Sequence, residues 1–321
     1  MSILSAIFST EFGYSILRVA TPLIFAALAA LVANQAGIMH IAFEGVMLWA
    51  ALLGVIGSAY SQSIFVGLLC GVIGGVLISL LIGYFAMNLK ANLILASIAA
   101  NTFATGGTVF VLYLVCSDKG ISSSLKSLVV PKVTIPLLDQ IPIVGDILSG
   151  HNALTYVAFV CVVLVYLLLY KTHLGLNIRA VGENPNAASS VGISVKKTRF
   201  FALIFSGVLA ALGGCFMSMG YLSWFTRGMV AGRGFIGIAA QNLGGSAPGP
   251  TLLAALVFGI ADALSNTLQS LRIPAEFVQM IPYVTTLLGL ALYSKTAKKR
   301  VGPRLGRKRE YGTAHEKTME R

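Results

Sequence analysis

Charge is scarce in this sequence. Only 11% of its 321 residues are Asp, Glu, Lys or Arg, against roughly a quarter in a soluble domain, which excludes a large water-facing surface. Cysteine is scarce as well: Cys70, Cys116, Cys161 and Cys215 stand far apart, so they read as small packing residues rather than as a disulfide framework or metal centre. The histidines His40, His151, His173 and His315 are scattered without ligand-like spacing. No G-x-x-x-x-G-K-[ST] run is present, so the chain has no P-loop with which to hydrolyse ATP. The expectation is a protein with no catalytic residues, no cofactor and no metal. The opening Met1 to Phe12 has no basic stretch and no small-residue cleavage site after it, so the first apolar run is expected to stay in the mature chain.

What is abundant is apolar sequence, 56% of the whole. A spanning helix needs about 20 mostly apolar residues, and such runs recur at 14–33, 37–60, 64–86, 92–115, 153–170, 200–222, 235–247, 251–270 and 275–294. The fold class is all-α: a polytopic transmembrane helix bundle of about 8–10 helices. Two runs depart from the pattern. The one at 235–247 is too short for a comfortable crossing, and the one at 37–60 is interrupted by His40, Glu44 and Gly45. Both read as broken or re-entrant helices, which a membrane tolerates only where protein or a water-filled cavity covers the free backbone groups. Gly67, Gly71 and Gly75 repeat every four residues, spacing that lets helix backbones approach closely.

Net charge is +12, and ten of the 23 Lys and Arg lie between Lys295 and Arg321. A second basic cluster, Lys171, Arg179, Lys196, Lys197 and Arg199, occupies the loop 171–199. Basic residues beside spans mark the cytoplasmic side and contact anionic lipid; a nucleic-acid-binding tail is the weaker reading, and no nucleic-acid partner is expected. Four apolar segments separate the two clusters, which places both on one face. Counting back puts the N-terminus outside, the turn at Lys90 inside and the loop 117–152 outside. In that outer loop a short amphipathic stretch is expected around 135–147.

The loop 171–199 carries the most informative pattern. Asn184 is placed to cap a helix whose first residue is Pro185, and Gly192 can close it in the left-handed conformation. The resulting two-turn helix is too polar and too short to span. Its small residues Ala187, Ala188 and Ser189 are expected to be exposed, so that a partner's groove could approach; an ordinary connector is the alternative.

At these residues the chain resembles the permease subunits of ABC importers for simple sugars, nucleosides and branched-chain amino acids. The family pattern G-x-x-x-R-A-x-G-x-N-x-x-A-A-x-x-x-G-I reads here as Gly175, Arg179, Ala180, Gly182, Asn184, Ala187, Ala188, Gly192 and Ile193. The stretch Gly37 to Ala51 looks like the family's early broken helix, with G-x-x-N-I-A-x-E-G-x-M in nucleoside-type members and His40 in place of the usual Asn. The stretch Gly232 to Leu264 resembles the family's G-R-G-F-I segment and the helix after it. The resemblance implies a permease domain at 14–294, with 1–13 as an outside N-terminal segment and 295–321 as a basic cytoplasmic tail. It also implies that Glu183, Asn184, Pro185, Ala187, Ala188 and Gly192 couple to a cytoplasmic ATPase subunit. The further partners implied are a second permease subunit and an external solute-binding protein or lipoprotein, in a bacterial cell membrane.

Polar residues inside the spans are costly and so face a cavity or a partner. His40 and Glu44, four apart, are expected to share one helix face. Asp262, Asn266 and Gln269 form one further stripe and Asn101, Thr105 and Thr108 another, with Gln241 and Asn242 beside the Gly244 and Gly245 break. Each group reads either as interhelical hydrogen bonding or as the lining of a path for a neutral polar solute, the latter naming His40, Glu44, Asn101, Thr105, Gln241, Asn242, Asp262 and Asn266. Phe103, Tyr221 and Phe235 could stack on a base or sugar or merely pack. The leading expectation is an importer permease for a nucleoside, with a simple sugar next. The alternative is an ion-coupled secondary transporter acting alone, with His40 and Glu44 or Asp262 as its ion site.

Overall fold

A computed structural model describes residues 9–136, 143–270 and 284. The expected segment 275–294 (residue 284 apart), the basic tail, most of the N-terminal segment and the middle of the 135–147 stretch lie outside the described residues. Among the described residues eleven helices follow in order: α1 (Thr10–Gln35), α2 (Phe43–Ser61), α3 (Ile64–Met87), α4 (Leu93–Cys116), α5 (Val144–Leu148), α6 (Ala153–Lys171), α7 (His173–Glu183), α8 (Pro185–Ser190), α9 (Val195–Phe216), α10 (Arg233–Leu243) and α11 (Pro248–Ser270). A π-helical turn, Met217–Tyr221, extends α9, and two short strands, β1 (Lys132–Val133) and β2 (His151–Asn152), pair antiparallel.

Among the described residues seven helices are long and apolar enough to cross a membrane: α1, α2, α3, α4, α6, α9 with its extension, and α11. The helix α1 is the central pillar. Every residue from Val19 to Ala33 is buried, as befits a helix apolar all round, and α6, α9, α10 and α11 all pack on it. The helices α3 and α4 bury far less and turn apolar side chains such as Phe65, Leu77, Phe103 and Phe110 outward, the composition lipid requires.

The glycine repeat on α3 makes a seam. A side chain at Gly71 would run into Cys215 of α9 and Ala50 of α2, and one at Gly75 would meet Ala211 of α9. The four cysteines are free, with Cys161 and Cys215 buried and Cys70 and Cys116 half-buried.

Hydrogen bonds sort the loops to two ends of the bundle. At one end Gln35 Nε2 donates to the Ser246 carbonyl at 2.7 Å and Arg199 Nε to that of Ala36 at 3.4 Å. There too the backbone of Gly182 presses so closely on Gln35 and Gly37 that only glycine fits. At the opposite end Ser127 Oγ donates to the Ser223 carbonyl at 2.7 Å and Tyr14 OH to that of Gly150 at 3.0 Å. Of the expected amphipathic stretch, the described residues show the one-turn α5 at its end.

Two expectations about broken helices resolve differently. The interruption in 37–60 falls wholly at residues 36–42, and α2 then runs unbroken from Phe43 through Glu44 and Gly45. The short segment is shorter still: α10 has 11 residues, about 17 Å at 1.5 Å per residue, roughly half a hydrocarbon core. It starts at Gly232, whose φ of 81° is left-handed, and continues a non-helical descent from Leu222 whose Phe225 and Val230 are fully buried. Protein covers that stretch only in part: Ser122 and Gly120 hold the backbone of Phe225 and Arg227, while Trp224, Arg227, Gly228 and Ala231 are exposed.

Candidate functional site

The break before α2 and the start of α10 meet inside the bundle. Glu44 bridges them: Gly232 N–H donates to Oε1 at 2.8 Å and Gly234 N–H to Oε2 at 2.9 Å. An α-helix start leaves N–H groups unpaired and carries a partial positive charge, so a carboxylate there satisfies both needs. Gly234 has no room for a side chain because it lies against the backbone of Phe43 and Glu44. Between the two glycines Arg233 reaches Asp262 of α11, NH2 to Oδ2 at 3.2 Å.

A second tie comes from α4. Asn101 accepts from Gly45 N–H at 2.8 Å and donates to the Ile41 carbonyl at 2.9 Å, satisfying one donor at the start of α2 and one acceptor in the break. Three helix segments are thus joined to their neighbours by Asn101, Glu44 and the Arg233–Asp262 pair.

His40 does not share a face with Glu44. It lies in the non-helical stretch, where helical spacing does not apply; its ring packs on Phe43 at 4.2 Å, Ala42 N–H reaches Nδ1 at 3.4 Å, and Nε2 is buried without a partner. The other stripes separate likewise. Thr105 and Thr108 donate to carbonyls one turn back on their own helix, leaving Asn101 as the interhelical member. Gln241 is buried and donates to Ser246 Oγ at 2.6 Å, while Asn242 and Asn266 are exposed. Phe103 stacks on Trp49, Phe235 is exposed, and Tyr221 lies under the Arg18 guanidinium. Arg233 and Ser246 were not among the residues singled out from sequence. The G-R-G run flanking Arg233 was the available signal; Ser246 offered none.

The loop 171–199 is helical almost throughout. Asn184 Oδ1 accepts from Asn186 N–H and Ala187 N–H, each at 3.1 Å, Pro185 is the first residue of α8, and Gly192 has φ 85°. This is the cap, first turn and stop read from the sequence. One detail differs: Ala187 and Ser189 are exposed, but Ala188 is buried at 4%, because α8 lies on α7 and α9. Glu183 ends α7 and, with Arg179, Gln35 and Ser246, lines an open cavity of about 520 Å³.

Seven long apolar helices, a half-length helix with its start buried in the bundle and a capped amphiphilic hairpin at one end define a multi-pass membrane permease. The family model described as "Branched-chain amino acid transport system / permease component" matches residues 14–290. The chain belongs to that family and is the permease component of an ABC transporter, which implies an ATPase partner and another permease subunit. It is 32% identical to a nucleoside ABC transporter permease protein of Lactococcus lactis subsp. cremoris, over 85% of this chain and 89% of the relative. It is also 32% identical to a guanosine ABC transporter permease protein of Bacillus subtilis, over 84% and 88%. A glucose ABC transporter permease protein of Haloferax volcanii is 26% identical, over 87% and 76%.

Proposed function

We propose that this permease imports an uncharged polar solute, a nucleoside in preference to a simple sugar, with ATP hydrolysed by a separate subunit. The observation that carries the reading is the pairing of Glu44 with α10. Resident acids neutralise the α10 start and Arg233, so neither of these two cationic features among the described residues is left open to an anionic solute. Asn242 is exposed and supplies an amide suited to hydroxyls and base edges, while the amides of Asn101 and Gln241 hold the bundle around it. The nucleoside preference also draws on the names of the relatives from Lactococcus lactis and Bacillus subtilis.

On this reading α8 is the lever. Ala187 offers a small exposed face to a cleft in the ATPase, and Gly182 transmits the push directly to Gln35 and Gly37. Gln35 in turn holds Ser246 in the turn between α10 and α11, so a displaced α8 would move the ends of three helices together. The loop 171–199 and the tail then lie in the cytoplasm, the N-terminus outside, and an external binding protein delivers solute to the opposite end.

The test is uptake by proteoliposomes. ATP-dependent nucleoside accumulation should require this chain, its second permease, the ATPase and the binding protein together. Accumulation by this chain alone on an ion gradient would instead establish a secondary transporter, a reading that the doubly bonded Glu44 disfavours as an ion site. Accumulation of glucose with no nucleoside uptake would overturn the substrate class.

A further inference from the structure

The 520 Å³ cavity beside α7 is lined by Asn34, Gln35, Tyr170, Arg179, Glu183 and Ser246, among others. Arg179 and Glu183 are one helical turn apart, the spacing at which opposite charges on a helix pair, and yet they form no ion pair. Among the described residues the one ion pair is Arg233 with Asp262. The Arg179 guanidinium lies instead over the Tyr170 ring, 4.8 Å from its centroid, and its Nε is buried without a hydrogen-bond partner. A buried unpaired donor on a cation is costly and asks for an acceptor. The amides of Asn34 and Gln35 are tied to Ser246, so the two charges stand apart on an open polar cavity.

The surroundings indicate what such a site would hold. Tyr170 is at the end of α6 and packs on Tyr166, centroids 5.3 Å apart. Val163, Tyr166, Leu167 and Tyr170 are all exposed and share one face of the helix by spacing. An apolar stripe on a membrane span that ends in tyrosines reaches the headgroup level, and here it leads into the cavity. Leu174 and Leu176 of α7 are exposed beside it.

We infer that this cavity binds the headgroup of a zwitterionic aminophospholipid, with phosphate on Arg179, ammonium on Glu183 and an acyl chain along the α6 stripe. Guanidinium groups bind phosphate oxygens through their fork of N–H donors, and the carboxylate one turn away accepts from the primary ammonium. The shared chemistry is an oxyanion next to an ammonium, which a soluble zwitterion also carries; the α6 stripe assigns it to lipid. The site touches α7, the end of α1 and the α10–α11 turn, so a bound lipid would brace the loop against the bundle.

The assembled transporter, purified into nanodiscs of equal parts phosphatidylethanolamine and phosphatidylglycerol, is stripped with detergent and its retained lipids are counted by native mass spectrometry. Phosphatidylethanolamine should be retained on the wild type, Arg179→Gln should lower that retention about tenfold, and Arg179→Lys should lower it less. Glu183→Gln should shift retention toward phosphatidylglycerol. Equal retention by wild type and Arg179→Gln, or preference of the wild type for phosphatidylglycerol, would overturn the site. Binding of glycerophosphoethanolamine or free leucine without lipid retention would overturn the lipid assignment. If Arg179→Gln does not assemble, Glu183→Gln decides, and an unchanged lipid ratio refutes the proposal.

Discussion

Glu44 at the start of α2 and Gly234 in the first turn of α10 are joined by a 2.9 Å hydrogen bond across 190 positions of chain, with Gly232 donating to the other carboxylate oxygen at 2.8 Å. The pair holds a half-length helix at a fixed depth in the bundle. Because both oxygens are used, Glu44→Gln must turn an NH₂ group toward one of the two N–H donors. A hydrogen bond to a charged group contributes about 1.5–3 kcal/mol, so the variant should lose about 2 kcal/mol and melt earlier in detergent. Unchanged melting would show that the carboxylate does not hold α10.

Asn101 makes a similar double tie from α4 to Gly45 N–H and the Ile41 carbonyl. Asn101→Leu fills the same volume and leaves both backbone groups unpaired inside the bundle, at about 1–3 kcal/mol for each. Asn101→Asp keeps the acceptor for Gly45 and loses the donor for Ile41. Unfolding curves of the purified variants should place both below wild type at neutral pH. At a pH low enough to protonate the Asp carboxyl its O–H can replace the lost donor, so its curve should move back toward wild type while that of Leu does not.

The spans and the capped helix α8 were legible in the sequence for one reason: each depends on neighbours in the chain. Hydropathy fixes a span, and Asn184 caps donors two and three residues away. The Glu44 tie is not local, and nothing in residues 37–60 names its partner at 232–234. Pairing Glu44 with His40 fails because helical spacing does not hold across residues 40–42, which come before the start of α2 at Phe43. Ala188 was misplaced because a helix of six residues has too few positions for a pattern to reveal its inward face; its docking on α7 and α9 decides that.

The buried Ala188 separates two effects at neighbouring positions. Ala187→Glu adds a charge on the exposed face of α8 and should release the ATPase on co-purification while leaving permease melting unchanged. Ala188→Glu forces an unpaired carboxylate against α7 and α9, which costs about 3–5 kcal/mol, and should lower the melting temperature itself. If Ala187→Glu retains the ATPase and full transport, α8 is a connector.

At the opposite end of the bundle His151 supplies a pH dependence. Its ring stacks on Tyr14 with centroids 4.0 Å apart and planes within 9°, and Nε2 lies 2.8 Å from the Ile147 carbonyl. Burial pushes the imidazole below its ordinary range, the bond to Ile147 opposes that, and the positive charges of Arg18 and Lys132 reinforce it. A base whose folded-state pKa is lowered binds fewer protons folded than unfolded, so it favours unfolding once pH drops below the unfolded value of about 6.5. The segment from Val144 to Asn152 should therefore be fully protected above about pH 7 and open increasingly toward pH 5. Hydrogen exchange, corrected for intrinsic rates, measures this directly. His151→Phe keeps a ring on Tyr14 and cannot titrate, so its protection should be independent of pH over the same interval, though lower overall for want of the Ile147 bond. A wild type whose protection does not fall, or a Phe variant that retains the fall, would assign the pH response to another group.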